Sequence, residues 1–544
     1  MNTKRNAVAI ASLAVVAAFA PLATAPLFAQ APARTLSTEV REGIRKRVES
    51  GRGAEQMIVA GDTLWLPVIT TRFYEPRDFQ PAWTVDGTAR AAADSLLAML
   101  KRVGEDGLLP KDYHVVRLQA LLEAVRGEDV PSPDDLAELD LLLTDGYAAY
   151  ASHLVAGRLD PVTLTSRADP DPEGLDLAGR LERALAADDV QRDLVALLDG
   201  SDPGYRRLRT SLTRYRSLAR DWGGWVELRR LLAATGDYSP PTDEVAGLDD
   251  EPVFDAALEL AVRRFQARHG LPETGAIGPR TRAALAVTPG QRARQIELNL
   301  ERWRWLPREL GRRFVLVNIA GFMAEAVEGG QTKLSMRAIV GTQYRQTPVL
   351  SDTITYVVFN PSWRVPRDIV RRELLPLIRE DPEYLSRENL HVIGAEGREI
   401  DPASIDWDAV VPSRIPWRLE QEPGPRNALG PVKLMFPNPY EVYLHGTPER
   451  ELFQHSVRAF SHGCIRLERP LELARYLLDS GDWNEERIGN VLASGRETTA
   501  PVADPVPIYI EYWTAWAEPD GTVHFRDDIY ERDRALDRAF ARSQ

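Results

Sequence analysis

Apolar residues recur at three- and four-residue spacing between charges over about 36–237, most clearly at 89–101 and 136–155, and this period predicts amphipathic helices. Turn clusters punctuate them at Gly104-Glu105-Asp106-Gly107, Pro131-Ser132-Pro133, Asp169-Pro170-Asp171-Pro172 and Ser201-Asp202-Pro203-Gly204. Tyr74, Trp83, Tyr113 and Tyr147 fall where helices would bury them as core. A second helical unit spans about 248–287: an apolar stripe over 254–266, a turn at 269–275, then a helix with Pro279 in its first turn. Residues 292–307 read as the end of a helix, after which the rhythm changes. Short β-rich runs at 314–319, 322–327, 334–340 and 354–359, each bounded by Gly, Pro, Asn or Asp, predict a sheet. Between 366 and about 425 the strand rhythm breaks into a helix at 368–380, an insertion of the kind that forms a lid or subdomain. Strands resume at 432–436 and 441–444. A helix at 471–478, strands at 507–513 and 523–525, and a charged terminal helix follow.

These patterns predict a multidomain α+β protein: a helical N-terminal scaffold at 36–240, a small three-helix domain at 245–290, a mainly β domain at 295–500 with a helical capping insertion at about 366–425, and a C-terminal extension at 501–544. Composition agrees, since 544 residues with 44% hydrophobic and 27% charged positions exceed a single core. The net charge of −13 argues against nucleic acid as a partner. Met1-Asn2-Thr3-Lys4-Arg5, an Ala/Val/Leu run and then small residues near Ala25, Ala29 and Ala31 have the order of a secretory signal, expected to occupy 1–30. Pro21 and Pro26 interrupt the run short of the roughly 20 residues that spanning needs, so no membrane anchor is expected to remain after cleavage.

Cys464 is the only cysteine. An unpaired thiol in an exported protein is either a buried leftover or a reactive group, and its neighbours decide which. They are His445-Gly446-Thr447 upstream and Ser461-His462-Gly463-Cys464-Ile465-Arg466 around it. A catalytic thiol needs a base, a positive neighbour or a helix N-terminus. His445, His462 and Arg466 meet that need, and the N–H groups of Gly463 and Cys464 are candidates for holding an oxyanion. Two other readings stand beside this one. Cys464 is an inert core residue, or His445, His462 and Cys464 bind zinc. His-x-Cys spacing is awkward for tetrahedral closure, and the chain has no Cys-x-x-Cys or His-Glu-x-x-His.

The histidine of His-Gly-Thr precedes Ser-His-Gly-Cys, an order that resembles the signature of the L,D-transpeptidase (YkuD-type) catalytic domain. Residues 298–307, Asn360-Pro361-Ser362-Trp363-Arg364-Val365-Pro366, Asn427-Ala428-Leu429-Gly430-Pro431-Val432-Lys433, 458–466 and 505–516 resemble its large Gram-negative, YcbB-like subgroup. The run around Phe265-Gln266, His269-Gly270-Leu271, Thr274-Gly275 and Ile277-Gly278 is similar to a peptidoglycan-binding domain. One departure is Gly446, where an acidic residue is more usual in that subgroup. The resemblance implies a periplasmic enzyme in which Cys464 attacks the third residue of a peptidoglycan tetrapeptide stem and D-alanine leaves. His445 moves the proton, oriented by the Gly446 carbonyl, and the amine of a second stem completes a 3-3 cross-link. It implies that Ser461 and His462 shape the pocket, that Arg466 holds a carboxylate or a structural ion pair, and that Tyr344, Trp363 and Trp417, with Trp407 near them, line the substrate groove. No cofactor or metal is expected. The implied partners are stem peptides and other cell-wall synthesis enzymes. A carboxypeptidase or hydrolase on the same fold, and a non-catalytic wall-binding scaffold, are the alternatives.

Overall fold

A computed structural model describes residues 35–52, 57–127, 131–159, 161, 175–220, 228–239, 254–381, 383–479 and 482–542. The expected signal segment at 1–30 and the expected turn Asp169-Pro170-Asp171-Pro172 lie outside them.

The N-terminal helices pack around Pro133–Ala156, a helix apolar on most of its circumference and therefore surrounded by its neighbours. Tyr74, Trp83, Tyr113 and Tyr147 are fully buried, as their positions predict. Two carboxylates on the central helix tie loops to it. Asp140 accepts the backbone N–H groups of Ala82 (2.6 Å) and Trp83 (3.1 Å) and the Tyr74 hydroxyl (2.8 Å), while Asp145 accepts those of Trp65 (3.0 Å) and Leu66 (2.8 Å). Each buried charge thereby has the partners it requires.

The second unit contains Ala256–Arg268 and Pro279–Ala286, joined by an earlier helix, Leu228–Ala234, that precedes the boundary at 245 expected from the sequence. Leu231, Leu232 and Tyr238 complete its core with Leu258, Val262, Phe265 and Leu285. Gln266 acts as a clasp: its amide nitrogen donates to the Ala276 carbonyl (2.8 Å) and to Thr281 Oγ1 (3.0 Å), and its oxygen accepts the Gly275 N–H (2.8 Å). Gln266, Gly275 and Thr281 of this motif thus hold the turn. The unit docks through His269, whose ring stacks on Phe525 of the hairpin Ala515–Ala517/Val523–Phe525, and through Arg280, which donates to Ser456 Oγ (2.7 Å).

The helix Pro289–Arg304 opens on a Thr288/Gln291 capping box with Pro289 in its first turn. It joins the scaffold to the β domain. Glu301, fully buried, accepts the backbone N–H groups of Arg158 (2.7 Å) and Leu159 (2.8 Å) at the end of the central scaffold helix and pairs with Arg304 (2.9 Å).

The β domain is a nine-stranded sheet in the order Ala459–Ser461, Gln331–Gly341, Ile465–Leu467, Leu444–His445, Val432–Met435, Leu350–Phe359, Thr498–Glu511, Arg313–Asn318, Met323–Glu328. Gln331–Gly341 also pairs with Met323–Glu328, so the sheet closes on itself. Thr498–Glu511 is an interior strand, parallel to Arg313–Asn318 and antiparallel to Leu350–Phe359, and it runs across the 500/501 boundary expected from the sequence. The strand expected at 441–444 is only Leu444–His445. Glu441 has φ +53° and turns the chain just before it.

The insertion is helical at Arg367–Ile369, Val370–Leu374 and Leu375–Glu380, but it also carries a four-stranded sheet in the order Glu399–Ile400, Leu390–Ile393, Arg418–Gln421, Trp363–Arg364. A core of its own, including Ile378, Val392, Trp407 and Leu419, makes it a subdomain of helix and sheet, where the break in strand rhythm predicts helix alone.

Replacing Glu301 by alanine strands the Arg304 guanidinium, which is 1% exposed, and removes the acceptor at the scaffold junction. Glu301→Ala is expected to destabilise the protein by about 3–5 kcal/mol, the usual result of breaking a buried pair by removing one partner. Urea unfolding followed by tryptophan fluorescence checks it, and an unchanged midpoint contradicts the role given to Glu301.

Candidate active site

Two very short strands create the site. Leu444–His445 lies parallel to Ile465–Leu467 in the register Leu444 to Ile465 and His445 to Arg466. Leu444 and Ile465 are fully buried in the core, so alternation turns Tyr443, His445, Cys464 and Arg466 to the opposite face. Val432–Met435 continues the pattern on the other side, with Lys433 opposite His445 and Val432 and Leu434 in the core. Lys433, His445 and Arg466 form one row across three strands, with Tyr443 and Cys464 beside it. The insertion covers this face, and between them is a cavity of about 1280 Å³ lined by His445, Cys464, Tyr443, Lys433 and Trp363, among others.

Cys464 is half-buried, and burial pushes its thiol above the ordinary cysteine range. The Tyr443 N–H and hydroxyl donate toward the sulfur and oppose the shift, as does the Arg466 charge; Glu441 adds to the rise. The thiol lies 3.8 Å from the Glu441 carbonyl oxygen. His445 is 5% exposed, and burial, then the Arg466 and Lys433 charges, push its pKa down to about 3. The Gly446 and Leu429 carbonyls beside the ring pull the other way, although Nδ1 makes no hydrogen bond of good geometry. At neutral pH both groups are therefore uncharged. A neutral imidazole on the same face as a neutral thiol is suited to accept a proton as the sulfur bonds to carbon, and the pair is not a preformed thiolate–imidazolium.

The other expected site residues divide. Ser461 is buried; its hydroxyl donates to the Cys464 carbonyl and accepts the Gly463 N–H (3.2 Å), so it holds the turn while also lining the cavity. That bond uses the Gly463 N–H, which corrects the expectation that it faces an oxyanion. The contribution of Gly463 is conformational: φ is +115°, and its carbonyl accepts from Thr347 Oγ1 (2.8 Å). His462 lines the same cavity and bonds Glu373 of the insertion (2.6 Å). Arg466 pairs with Glu449. Trp363 lines the cavity. Trp417 does not, because it is 6% exposed in the insertion's own core, edge-on to Trp407 at 5.3 Å. Tyr344 is 94% exposed and outside the cavity, while its neighbours Arg345 and Gln346 line it. Among the described residues, no group of three His, Cys, Asp or Glu is placed to hold a metal ion.

Four residues were not singled out from the sequence. Tyr443 and Lys433 carried a signal in the alternation of their strands. Glu373 and Arg345 carried none. Pro376 has no N–H to donate, and the helix before it widens so that the Leu375 N–H reaches back to the Val370 carbonyl, which turns Glu373 toward both His462 and Arg345 (2.7 Å).

Residues 312–508 match the L,D-transpeptidase catalytic domain, 223–285 the putative peptidoglycan binding domain, and 69–212 a scaffold domain. The chain carries a YkuD-type L,D-transpeptidase catalytic domain. A putative L,D-transpeptidase of Haemophilus influenzae is 37% identical over 245 residues, which are 45% of this chain and 49% of that protein. The chain thus matches about half the length of that relative. Two solved structures are similar at 12% identity: an L,D-transpeptidase from Mycobacterium smegmatis over 37% of this chain and 58% of that one, with a TM-score of 0.17, and one from Stackebrandtia nassauensis over 52% and 89%, with a TM-score of 0.21.

The surroundings of Gly446 leave little room for the acidic side chain that the sequence resemblance would lead one to expect there. A Cβ there would lie 3.0 Å from Pro431 Cδ, 3.2 Å from the Leu429 oxygen and 3.3 Å from Pro470 Cγ. Gly446→Asp is expected to lower stability by about 1–3 kcal/mol through overpacking, read as a lower urea midpoint; an unchanged midpoint contradicts the crowding.

The uncharged resting pair sets a pH dependence for alkylation of Cys464. Because burial raises the thiol's proton affinity, the thiolate fraction, and with it the iodoacetamide rate, climbs with pH to and beyond the ordinary cysteine value of about 8.5. A flat rate between pH 5 and 7, the mark of a standing thiolate–imidazolium pair, contradicts this assignment.

Proposed function

We propose that the protein is an exported peptidoglycan L,D-transpeptidase that forms 3-3 cross-links through a Cys464 acyl-enzyme. The observation that carries this reading is the shared face of His445 and Cys464 at the floor of a cavity in an L,D-transpeptidase domain. The Cys464 sulfur attacks the carbonyl of the third stem residue as its proton passes to His445. The tetrahedral oxygen is held by the N–H group of Cys464. As the C–N bond breaks, His445 returns the proton to the leaving D-alanine amine, and the thioester remains. The side-chain amine of a second stem then attacks the thioester, loses a proton to His445 and restores the thiol. The cations in the His445 row disfavour a lasting imidazolium, so the proton is held only between the two transfers.

The peptidoglycan-binding match supports the wall as substrate, and the signal pattern at 1–30 supports action in the periplasm. Among the described residues no helix is long and apolar enough to cross a membrane. A hydrolytic or carboxypeptidase reading differs only in the acceptor, water in place of the amine. The intact thiol and base weigh against a non-catalytic scaffold.

Incubation with disaccharide-tetrapeptide is expected to yield a D-alanine-loss adduct on Cys464 and a 3-3 dimer by mass spectrometry. Cys464→Ala is expected to remove both, and His445→Ala to slow acylation by at least about a hundredfold. A tripeptide product without dimer favours the hydrolase, and turnover by Cys464→Ala rules out the acyl-enzyme.

A further inference from the structure

Lys433 touches none of the reacting atoms in the chemistry just described and acts there only through its charge on His445, yet among the described residues lining the cavity it is the cation without an ion pair or hydrogen bond. Arg466, at the other end of the same row, is held by Glu449, and Arg345 by Glu373. The Lys433 ammonium, half-buried, has no hydrogen bond or ion pair among the described residues and lies 5.6 Å from the centre of the Tyr443 ring. The acid that acts on it, Glu497, is already bonded to the Ser362 N–H, and Arg364 repels it. An ammonium partly removed from water without an anion is unfavourable, and here it faces the open cavity beside the reacting atoms.

The position selects the anion. Lys433 is directly across from His445, and the tyrosine beneath its ammonium lines the cavity beside Cys464. A peptide whose carbonyl lies against the sulfur, and whose leaving residue is its last, carries its terminal carboxylate about one residue length, ~3.8 Å, beyond the reacting carbon. One further residue turns that carboxylate into a neutral amide.

We propose that Lys433 binds the terminal carboxylate of the donor peptide, so that the site selects stems whose leaving residue is the chain end. This rests on the transpeptidase reading above. The diamino-acid carboxylate of the same stem is the other source of this chemistry, and it lies on the acyl side of the bond that breaks.

Acylation of Cys464 is followed by mass spectrometry with the full chain and three synthetic donors: the tetrapeptide acid, its C-terminal amide, and the tetrapeptide amidated on the diamino acid. Wild type is expected to lose at least about tenfold in kcat/KM with the terminal amide and little with the other amide. Lys433→Met is expected to show a similar loss on the acid, mainly in KM, and no additional loss on the terminal amide; Lys433→Arg regains part of it. Iodoacetamide alkylation of Cys464 is expected to change less than about twofold in Lys433→Met, because the sulfur keeps its Tyr443 donors. Equal acylation of acid and terminal amide by wild type overturns the proposal without touching the transpeptidase reading. So does sensitivity confined to the diamino-acid amide, or a Lys433→Met loss that is equal on all donors or follows the alkylation rate. If no donor acylates wild type, both readings fall.

Discussion

Everything functional in this protein depends on the parallel pairing of Leu444–His445 with Ile465–Leu467. The two strands are brief, and their hold comes from the closed sheet around them and from Leu444 and Ile465, both fully buried. Burying those two residues leaves no choice about the rest, because alternation sends Tyr443, His445, Cys464 and Arg466 to the other face together. A slip of one residue would put the thiol into the core and an isoleucine into the cavity.

Electrostatics on that face follow from the same pairing. His445 lies between Lys433 and Arg466 in one row and is enclosed by protein, so it is neutral far below the usual range of histidine. Cys464 is kept as a thiol by the same enclosure. The pair stores no charge at rest, and in the proposed mechanism the proton moves only when an electrophile arrives. The two flanking cations differ in their commitments: Arg466 is neutralised by Glu449, whereas Lys433 faces the cavity.

The cavity has a second wall because the insertion folds on a core of its own and reaches back to the thiol loop through Glu373, which takes both His462 and Arg345. The wider turn before Pro376 gives that glutamate its direction. Further out, Glu301 and the His269–Phe525 stack join the scaffold and the smaller helical unit to the sheet domain. The motif residues of that smaller unit, Gln266 above all, are occupied in holding its turn.

Much of this was legible in the chain. Periodicity located the scaffold helices and the first four strands of the sheet because one face of each is buried and the pattern is local. The order of His445 and Cys464, with the glycines and serine around them, marked out a candidate thiol and base and carried the resemblance to an L,D-transpeptidase domain. What the sequence left undetermined depended on contacts between distant segments. The strand across 498–511 alternates poorly and has prolines, and only its two neighbours reveal it as interior. Trp417 and Trp363 are the same residue type in one insertion, yet one is core and the other lines the cavity, a difference set by how the insertion packs. The Gly463 N–H looked available until Ser461 claimed it, and Glu373 had no local pattern to mark it. The sequence by itself determined which chemical groups the protein has and their order along the chain. Tertiary structure decided which of them face one another, because register and packing, set by burial of other residues, place each side chain.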